Sequence, residues 1–299
     1  MSAKKRDDGP DGLVVVEKDA GWTSHDVVAK SRGLLGTRKV GHSGTLDPDA
    51  TGVLLLGVGR VTRLLKYLTA LPKTYTCEIV FGTETSTLDS SGDVTATYDM
   101  SAVSFAQVEA AVPQFLGDIM QIPPMVSAVK VDGKRLHQLA REGIEIERAP
   151  RPVTIHRFTV APTDDPLVIT AEVECSSGTY VRTLAADLGH ALGGGAHLRE
   201  LRRTAIGSFT LAESHPLETV SPEVLLTPAE AMRDLAVVSV TESERIDVGH
   251  GKALVIDDRF TGDGPWAVID AEGRLLATYI SFRSGTAKPD VVVAPVDGR

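Results

Sequence analysis

The apolar positions of this chain come in short runs, broken by glycine, proline and charge. Residues 12–17 are uninterrupted through Leu13, Val14, Val15 and Val16, which predicts a short buried strand. Thr23-Ser24 then offers an N-cap for a helix carrying Val27, Val28 and Leu34 and stopping near Gly36. Residues 38–52, with three glycines and a proline, read as a loop. A second apolar run at 53–58 precedes helical spacing over 60–71, which ends at Pro72. Residues 75–81 alternate as a strand, 83–93 form a polar turn region, and 105–116 have a helical pattern despite Pro113. Over 167–175, Leu167, Ile169, Ala171, Val173 and Cys175 point to one face and Thr170, Glu172 and Glu174 to the other. A helix over 179–192 closes on Gly193-Gly194-Gly195.

Strands and helices mix here without regular βαβ alternation, so an α+β fold is expected in place of a doubly wound sheet. Residues 1–11 are polar and read as a loose tail. After residue 236 the pattern changes to short strand-like runs at 237–240, 253–256, 266–269, 275–280 and 291–293, separated by Gly and Asp. The expected organisation is a tail at 1–11, a large domain at 12–235 and a small all-β module at 236–299.

Composition narrows the class. The 299 residues are 42% hydrophobic and 24% charged, which excludes a wholly disordered chain. No apolar run approaches the ~18 residues of a membrane span, and the charged N-terminus has no apolar stretch behind it, so no secretory signal is expected. Only Cys77 and Cys175 occur, without C-x-x-C spacing. That argues against a disulfide scaffold or a Cys-rich zinc site and fits a reducing cytoplasm. The net charge of −9 hides its distribution. Residues 22–66 hold seven Lys/Arg against three Asp, while 84–118 hold six acids and no Lys or Arg. A basic face for nucleic acid therefore remains available on an acidic protein.

The densest chemical signal is Gly41-His42-Ser43-Gly44-Thr45-Leu46-Asp47-Pro48-Asp49-Ala50-Thr51-Gly52. Its glycines let backbone approach a ligand closely, and an imidazole and two carboxylates fall within eight residues. Spacing alone leaves three readings open. Asp47 and Asp49 could simply cap backbone amides, or an Asp could act on RNA. Read literally, residues 47–51 are also D-x-D-x-T, the nucleophile motif of magnesium-dependent haloacid-dehalogenase-like phosphatases, with Asp257-Asp258 as a late acidic pair. That motif should end a hydrophobic strand, whereas residues 42–46 are a polar, Gly-containing turn.

With its neighbours the stretch resembles the TruB family of tRNA pseudouridine synthases. Lys18-Asp19-Ala20-Gly21-Trp22-Thr23-Ser24 precedes it and Lys73-Thr74-Tyr75 follows. Then come residues 82–92, Gln121 to Lys130, Gly133-Lys134 with residues 140–143, Cys175 to Leu184, and Gly195 to Arg203, all in order. The chain departs from the family's usual pattern at Asp19 (Pro), Ser86 (Asp), Val126 (Tyr) and His137 (Tyr).

The resemblance implies a pseudouridine-synthase fold, a mixed and largely antiparallel sheet with flanking helices, followed by a PUA-like RNA-binding domain. It implies isomerisation of uridine 55 in the tRNA T loop by base flipping, with no cofactor and no metal. Asp47 would be the nucleophile, Arg182 its partner, and Tyr75 the ring that stacks on the base and the candidate to take the C5 proton. Tyr180 and Leu201 would line the base pocket. His42 would fill space left by flipped bases. Lys18 and Lys39 would meet phosphates, with Arg199, Arg202 and Arg203 as further candidates. The expected partner is the tRNA T stem-loop, bound by a cytoplasmic monomer. A rival within the same resemblance makes tRNA folding the main activity and modification secondary. From position alone, an Arg such as Arg182 would more often be a surface cation.

Overall fold

The computed structural model describes residues 9–127, 130–131, 134–135, 144 and 146–293. Residues 1–8 of the expected tail, His137, and motif residues 128–129, 133 and 140–143 lie outside the described residues. The first part of the chain runs β1 (Gly12–Lys18), α1 (Ser24–Leu34), β2 (Val40–His42), β3 (Thr51–Val58), α2 (Leu65–Ala70), β4 (Lys73–Phe81), β5 (Thr83–Thr85), β6 (Val94–Thr97), α3 (Phe105–Ala111) and β7 (Gly117–Gln121). It continues through β8 (Lys130–Val131), β9 (Lys134–Arg135), β10 (Arg151–Pro162), β11 (Val168–Cys175), α4 (Val181–Ala191), β12 (Ala196–Ile206), β13 (Phe209–Thr210) and β14 (His215–Pro216). The last part holds β15 (Ala236–Ser239), α5 (Glu242–Gly249), β16 (Leu254–Val255), β17 (Trp266–Ile269), β18 (Leu275–Ser281) and β19 (Thr286–Val292).

Ten strands form one mixed sheet with the backbone order β14-β1-β3-β12-β4-β11-β10-β7, β2 pairing β3 and β13 pairing β12. Most pairings are antiparallel; β1–β14 and β3–β12 are parallel. The uninterrupted apolar runs of β1 and β3 arise because both sheet faces are covered there. Val14, Val16, Leu54 and Leu56 pack with Val27 and Val28 of α1. Leu13, Val15, Val53 and Leu55 face the other way, into a core shared with Ala267, Leu275, Val291 and Val293. A third cluster seats Leu184 and Leu188 of α4 on Cys77, Ile79, Val173 and Leu198. Both cysteines are free and buried.

Several expectations need correction. Asp11, the last residue assigned to the loose tail, is anchored: its carboxylate pairs with Arg60. The presumed loop at 38–52 contains β2, and the polar turn at 83–93 contains β5, which pairs with β6. Pro113 ends the regular helix at Ala111 and leaves a 3₁₀ turn at Val112–Phe115. The C-terminal sheet, ordered β15-β17-β18-β19-β16, is β-rich but not all-β, because it carries α5. Thr241 and Glu244 form a capping box that starts this polar helix, a signal its scarce apolar residues concealed. No helix among the described residues is long and apolar enough to cross a membrane.

Candidate active site

Residues 43–50 connect β2 to β3 along the edge of a cavity of about 270 Å³. Three side chains from distant parts of the chain hold this loop by its backbone. Ser24 Oγ, at the first residue of α1, donates to Leu46 O (3.1 Å) and accepts from Leu46 N–H (2.9 Å). Lys18 Nζ donates to the carbonyls of Asp19 and Pro48, each at 2.9 Å. Arg203 donates from Nε to Val53 O (2.8 Å), with its two Nη groups at Gly44 O (3.3 Å) and Thr45 O (3.5 Å). The parallel contact of β3 with β12 demands Gly52, at φ 103°, because a Cβ there would lie 2.1 Å from Arg203 O.

Held in this way, Asp47 projects a half-exposed carboxylate at the cavity. Arg182, on the first turn of α4, meets it from beneath with Nη2 3.1 Å from Oδ2. Only 4% of Arg182 is exposed, so its charge is committed inward. Nη1 donates to Thr87 O (2.9 Å) and Asp89 Oδ2 (3.1 Å), and Nη2 to Val126 O (2.9 Å). Asp89 is fixed in turn: its Oδ1 accepts from Thr87 Oγ1 (2.6 Å), Ser91 Oγ (2.5 Å) and Ser91 N–H (3.1 Å). Leu88 adopts φ 62° just before it, a left-handed conformation that branched side chains resist, and the loop is pinned by Leu198 N–H donating to Leu88 O (3.0 Å).

The rest of the wall combines apolar and aromatic faces: Tyr75 on β4, Val126, Tyr180 and Leu201. β12 carries a bulge between Arg199 and Arg202, with Glu200 at φ 54°; this brings Leu201 to the cavity. Gln121, 1% exposed, brackets the Tyr180 backbone, accepting from its N–H (3.0 Å) and donating to its carbonyl (3.3 Å). Ser43 is fully buried at the cavity edge, and its hydroxyl has no partner among the described residues.

Burial raises the Asp47 carboxyl above the usual range; Arg182 pulls it back, while Asp89 pushes it up. The Tyr75 phenol is also raised by burial, against the pull of Arg203. His42 is lowered, first by burial and then by the charges of His25 and Arg203, which favours a neutral ring at pH 7. Its Nδ1 accepts from Gly44 N–H (3.3 Å), and His25 packs against it edge to face at 5.2 Å. Lys18 and Lys73 are each lowered by burial to about 8.

The structure therefore brings Asp47, Arg182, Tyr75, Tyr180 and Leu201 around one cavity. His42 stands one residue before its wall, and Lys39 is exposed outside it. Two basic residues expected at phosphates are placed differently. Lys18 and Arg203 are each 1% exposed and hold backbone carbonyls, so they shape the loop instead. Arg199 and Arg202 pair with Glu78 and Glu17. Asp257 pairs with Arg259 beside the C-terminal sheet, and neither Asp257 nor Asp258 lines the cavity. Among the described residues no cluster of three His, Cys, Asp or Glu could hold a metal. Asp89 and Gln121 lie in the motif stretches 82–92 and 121–130, but sequence reasoning gave neither a role. An Asp-Ser-Ser-Gly turn hints at the first, whereas nothing in the spacing shows that the second brackets Tyr180.

Comparison with known proteins agrees with this geometry. The family model "TruB family pseudouridylate synthase (N terminal domain)" matches residues 32–181, and "tRNA pseudouridylate synthase B C-terminal domain" matches residues 182–237. A tRNA pseudouridine synthase B of Rhodococcus jostii (strain RHA1) is 48% identical over 95% of this chain and 94% of its own. That of Arthrobacter sp. (strain FB24) is 44% identical over 95% of this chain and 97% of its own. Among solved structures, one of a Cbf5-Nop10-Gar1 complex superposes with a TM-score of 0.75 at 24% identity, covering 96% of this chain and 86% of that one, which shows the shared fold. The chain belongs to the TruB family of pseudouridylate synthases and is an isomerase of that family.

Proposed function

We propose that this protein converts uridine 55 in the T loop of tRNA to pseudouridine, with Asp47 as the nucleophile. The observation that carries the reading is the buried Arg182, locked by Asp89 and two carbonyls and aimed at Asp47 inside a cavity with aromatic walls. An ionised carboxylate attacks; a protonated one does not. Arg182 opposes the burial that would keep Asp47 neutral, and it holds the attacking oxygen in place.

The uracil has to leave its stack to reach Asp47. Tyr75 offers a ring face, and Val126, Tyr180 and Leu201 complete a slot that replaces the lost stacking. The N1–C1′ bond breaks, the base turns within the slot, C5 bonds to C1′, C5 gives up its proton and N1 gains one. Burial keeps the Tyr75 phenol un-ionised at neutral pH, which suits stacking and works against its accepting the C5 proton. His42, a neutral ring beside the loop, fits the space vacated by the displaced T-loop bases. Lys39 remains the phosphate contact of this reading, and Lys18 becomes a support of the Asp47 loop. Residues 12–235 form the catalytic domain and 236–299 the PUA-like domain.

Tritium release from a T stem-loop carrying [5-³H]uridine tests the reaction, since C5 must lose its hydrogen when it becomes the glycosidic carbon. Native protein should release tritium in the presence of chelator. Asp47→Asn should release on the order of 10⁴-fold more slowly while still binding RNA. Release by folded Asp47→Asn at the native rate would remove the nucleophile assignment. If native protein releases none but refolds tRNA, the RNA-folding reading survives alone.

A further inference from the structure

The C-terminal domain grips one particular helix of the catalytic part. Asp290 on β19 accepts from both Lys66 Nζ and Tyr67 OH of α2. The Tyr67 hydroxyl also lies 2.9 Å from Thr278 Oγ1 on β18. Immediately upstream, Arg60 Nη1 donates to Val293 O and Arg63 Nη1 to Val292 O, each at 2.9 Å. Below these polar contacts Val291 and Val293 share a buried cluster with Leu64 and Leu68. Burial would raise the Asp290 carboxyl, yet Lys66 and Tyr67 hold it below the usual range. Burial and the neighbouring carboxylate keep Tyr67 protonated, so it remains the donor.

The other end of the same helix reaches the active site. Thr69 and Leu71 present their carbonyls to the buried ammonium of Lys73, the Leu71 contact being 2.6 Å. Thr69 and Lys73 both line the cavity, Lys73 two residues before Tyr75. A continuous path therefore runs from β19 through Asp290, α2 and Lys73 to the ring on which the base would stack.

We propose that Asp290 is a positioning residue for the isomerisation: it fixes α2, and through it the Thr69–Lys73 side of the cavity, to the C-terminal domain. This rests on the reaction proposed above. It makes the domain a brace for the catalytic centre as well as any surface for RNA. Small displacements of groups that orient a substrate cost up to about 10²-fold in rate, so loss of the brace should be visible in the chemical step itself.

The test is the single-turnover rate constant at saturating RNA for Asp290→Ala, on whole tRNA and on an isolated T stem-loop. Tritium release should slow about tenfold on both RNAs, with RNA dissociation constants within about threefold of native. Asp290→Asn, which keeps an acceptor for Tyr67, should recover part of the rate. Tyr67→Phe combined with Asp290→Ala should lose little more than Asp290→Ala alone, because the Asp290–Tyr67 bond is already gone and only the Thr278 contact is left to lose. A rate constant unchanged on the stem-loop, or a loss confined to weaker binding of whole tRNA, overturns the proposal in favour of a purely RNA-binding domain. Amide exchange over residues 65–75 provides a readout independent of the reaction. It should quicken in Asp290→Ala, and unchanged exchange overturns the brace even if native protein proves to catalyse something else.

Discussion

Two buried arginines flank the cavity and use their charge in opposite ways. Arg182 faces two carboxylates, Asp47 and Asp89, and sets how readily Asp47 ionises. Arg203 gives Asp47 no such pull: it holds the carbonyls of Gly44, Thr45 and Val53, which sets where the loop runs, and its charge acts on the Tyr75 phenol instead. Both side chains are nearly inaccessible, and both reach the same eight-residue loop. The contrast separates charge control from shape control within one active site: a guanidinium's flat fork suits either task, and its partners decide which it performs.

Removing Arg182 should have the larger effect on chemistry. Arg182→Met leaves the Asp47 and Asp89 carboxylates without the guanidinium between them, with only the more distant charge of Lys18 acting on Asp47, and should slow tritium release on the order of 10²–10³-fold at pH 7. The acid limb of the pH–rate profile should also move to higher pH, because Arg182 is what draws the Asp47 carboxyl down against burial. An acid limb that stays in place would show that Arg182 acts by geometry alone.

Arg203→Met should invert the pattern. It strands three carbonyls and loosens the loop, costing on the order of 3 kcal/mol of stability, roughly 5 °C in melting temperature for a chain of this size. Below its new melting point the acid limb should coincide with native, since Arg203 is not among the charges that shift Asp47. A moved limb would break the division between the two arginines.

The smallest effect concerns the buried lysines. Lys18 and Lys73 have folded-state values of about 8, below the ordinary lysine value. Between pH 8 and about 10 the unfolded chain binds more protons than the folded one, so their contribution to stability rises with pH. Urea unfolding of native protein and Lys18→Met at pH 7.5 and 9.5 checks the sign: the native gain over that interval should shrink in the variant.

Much of this arrangement was legible before folding. Thr23 caps α1 as its position suggested, the apolar runs became the doubly covered β1 and β3, and Leu167 to Cys175 alternated as drawn. The motif order located Asp47, Arg182, Tyr75, Tyr180 and Leu201, which converge on one cavity. β12 was hidden because its bulge breaks the alternation and places four charged residues at 199, 200, 202 and 203 within one strand. Lys18 and Arg203, expected as phosphate contacts, are buried instead, because burial of a charge depends on acceptors supplied elsewhere in the chain. Pro48 O is 30 residues from Lys18, and Val53 O 150 residues from Arg203.

What the chain determined by itself was local or periodic: which segments extend or coil, where caps and turns fall, and which residues carry reactive groups. Those properties follow from backbone sterics and from the spacing of apolar side chains, both of which act over a few residues. Tertiary structure alone decided which charges are buried, that Asp89 stands behind Arg182, and that Asp290 holds the helix leading to Lys73. Each of these depends on a long-range contact that removes a polar group from water, and that removal is favourable only where a partner from a distant segment meets it.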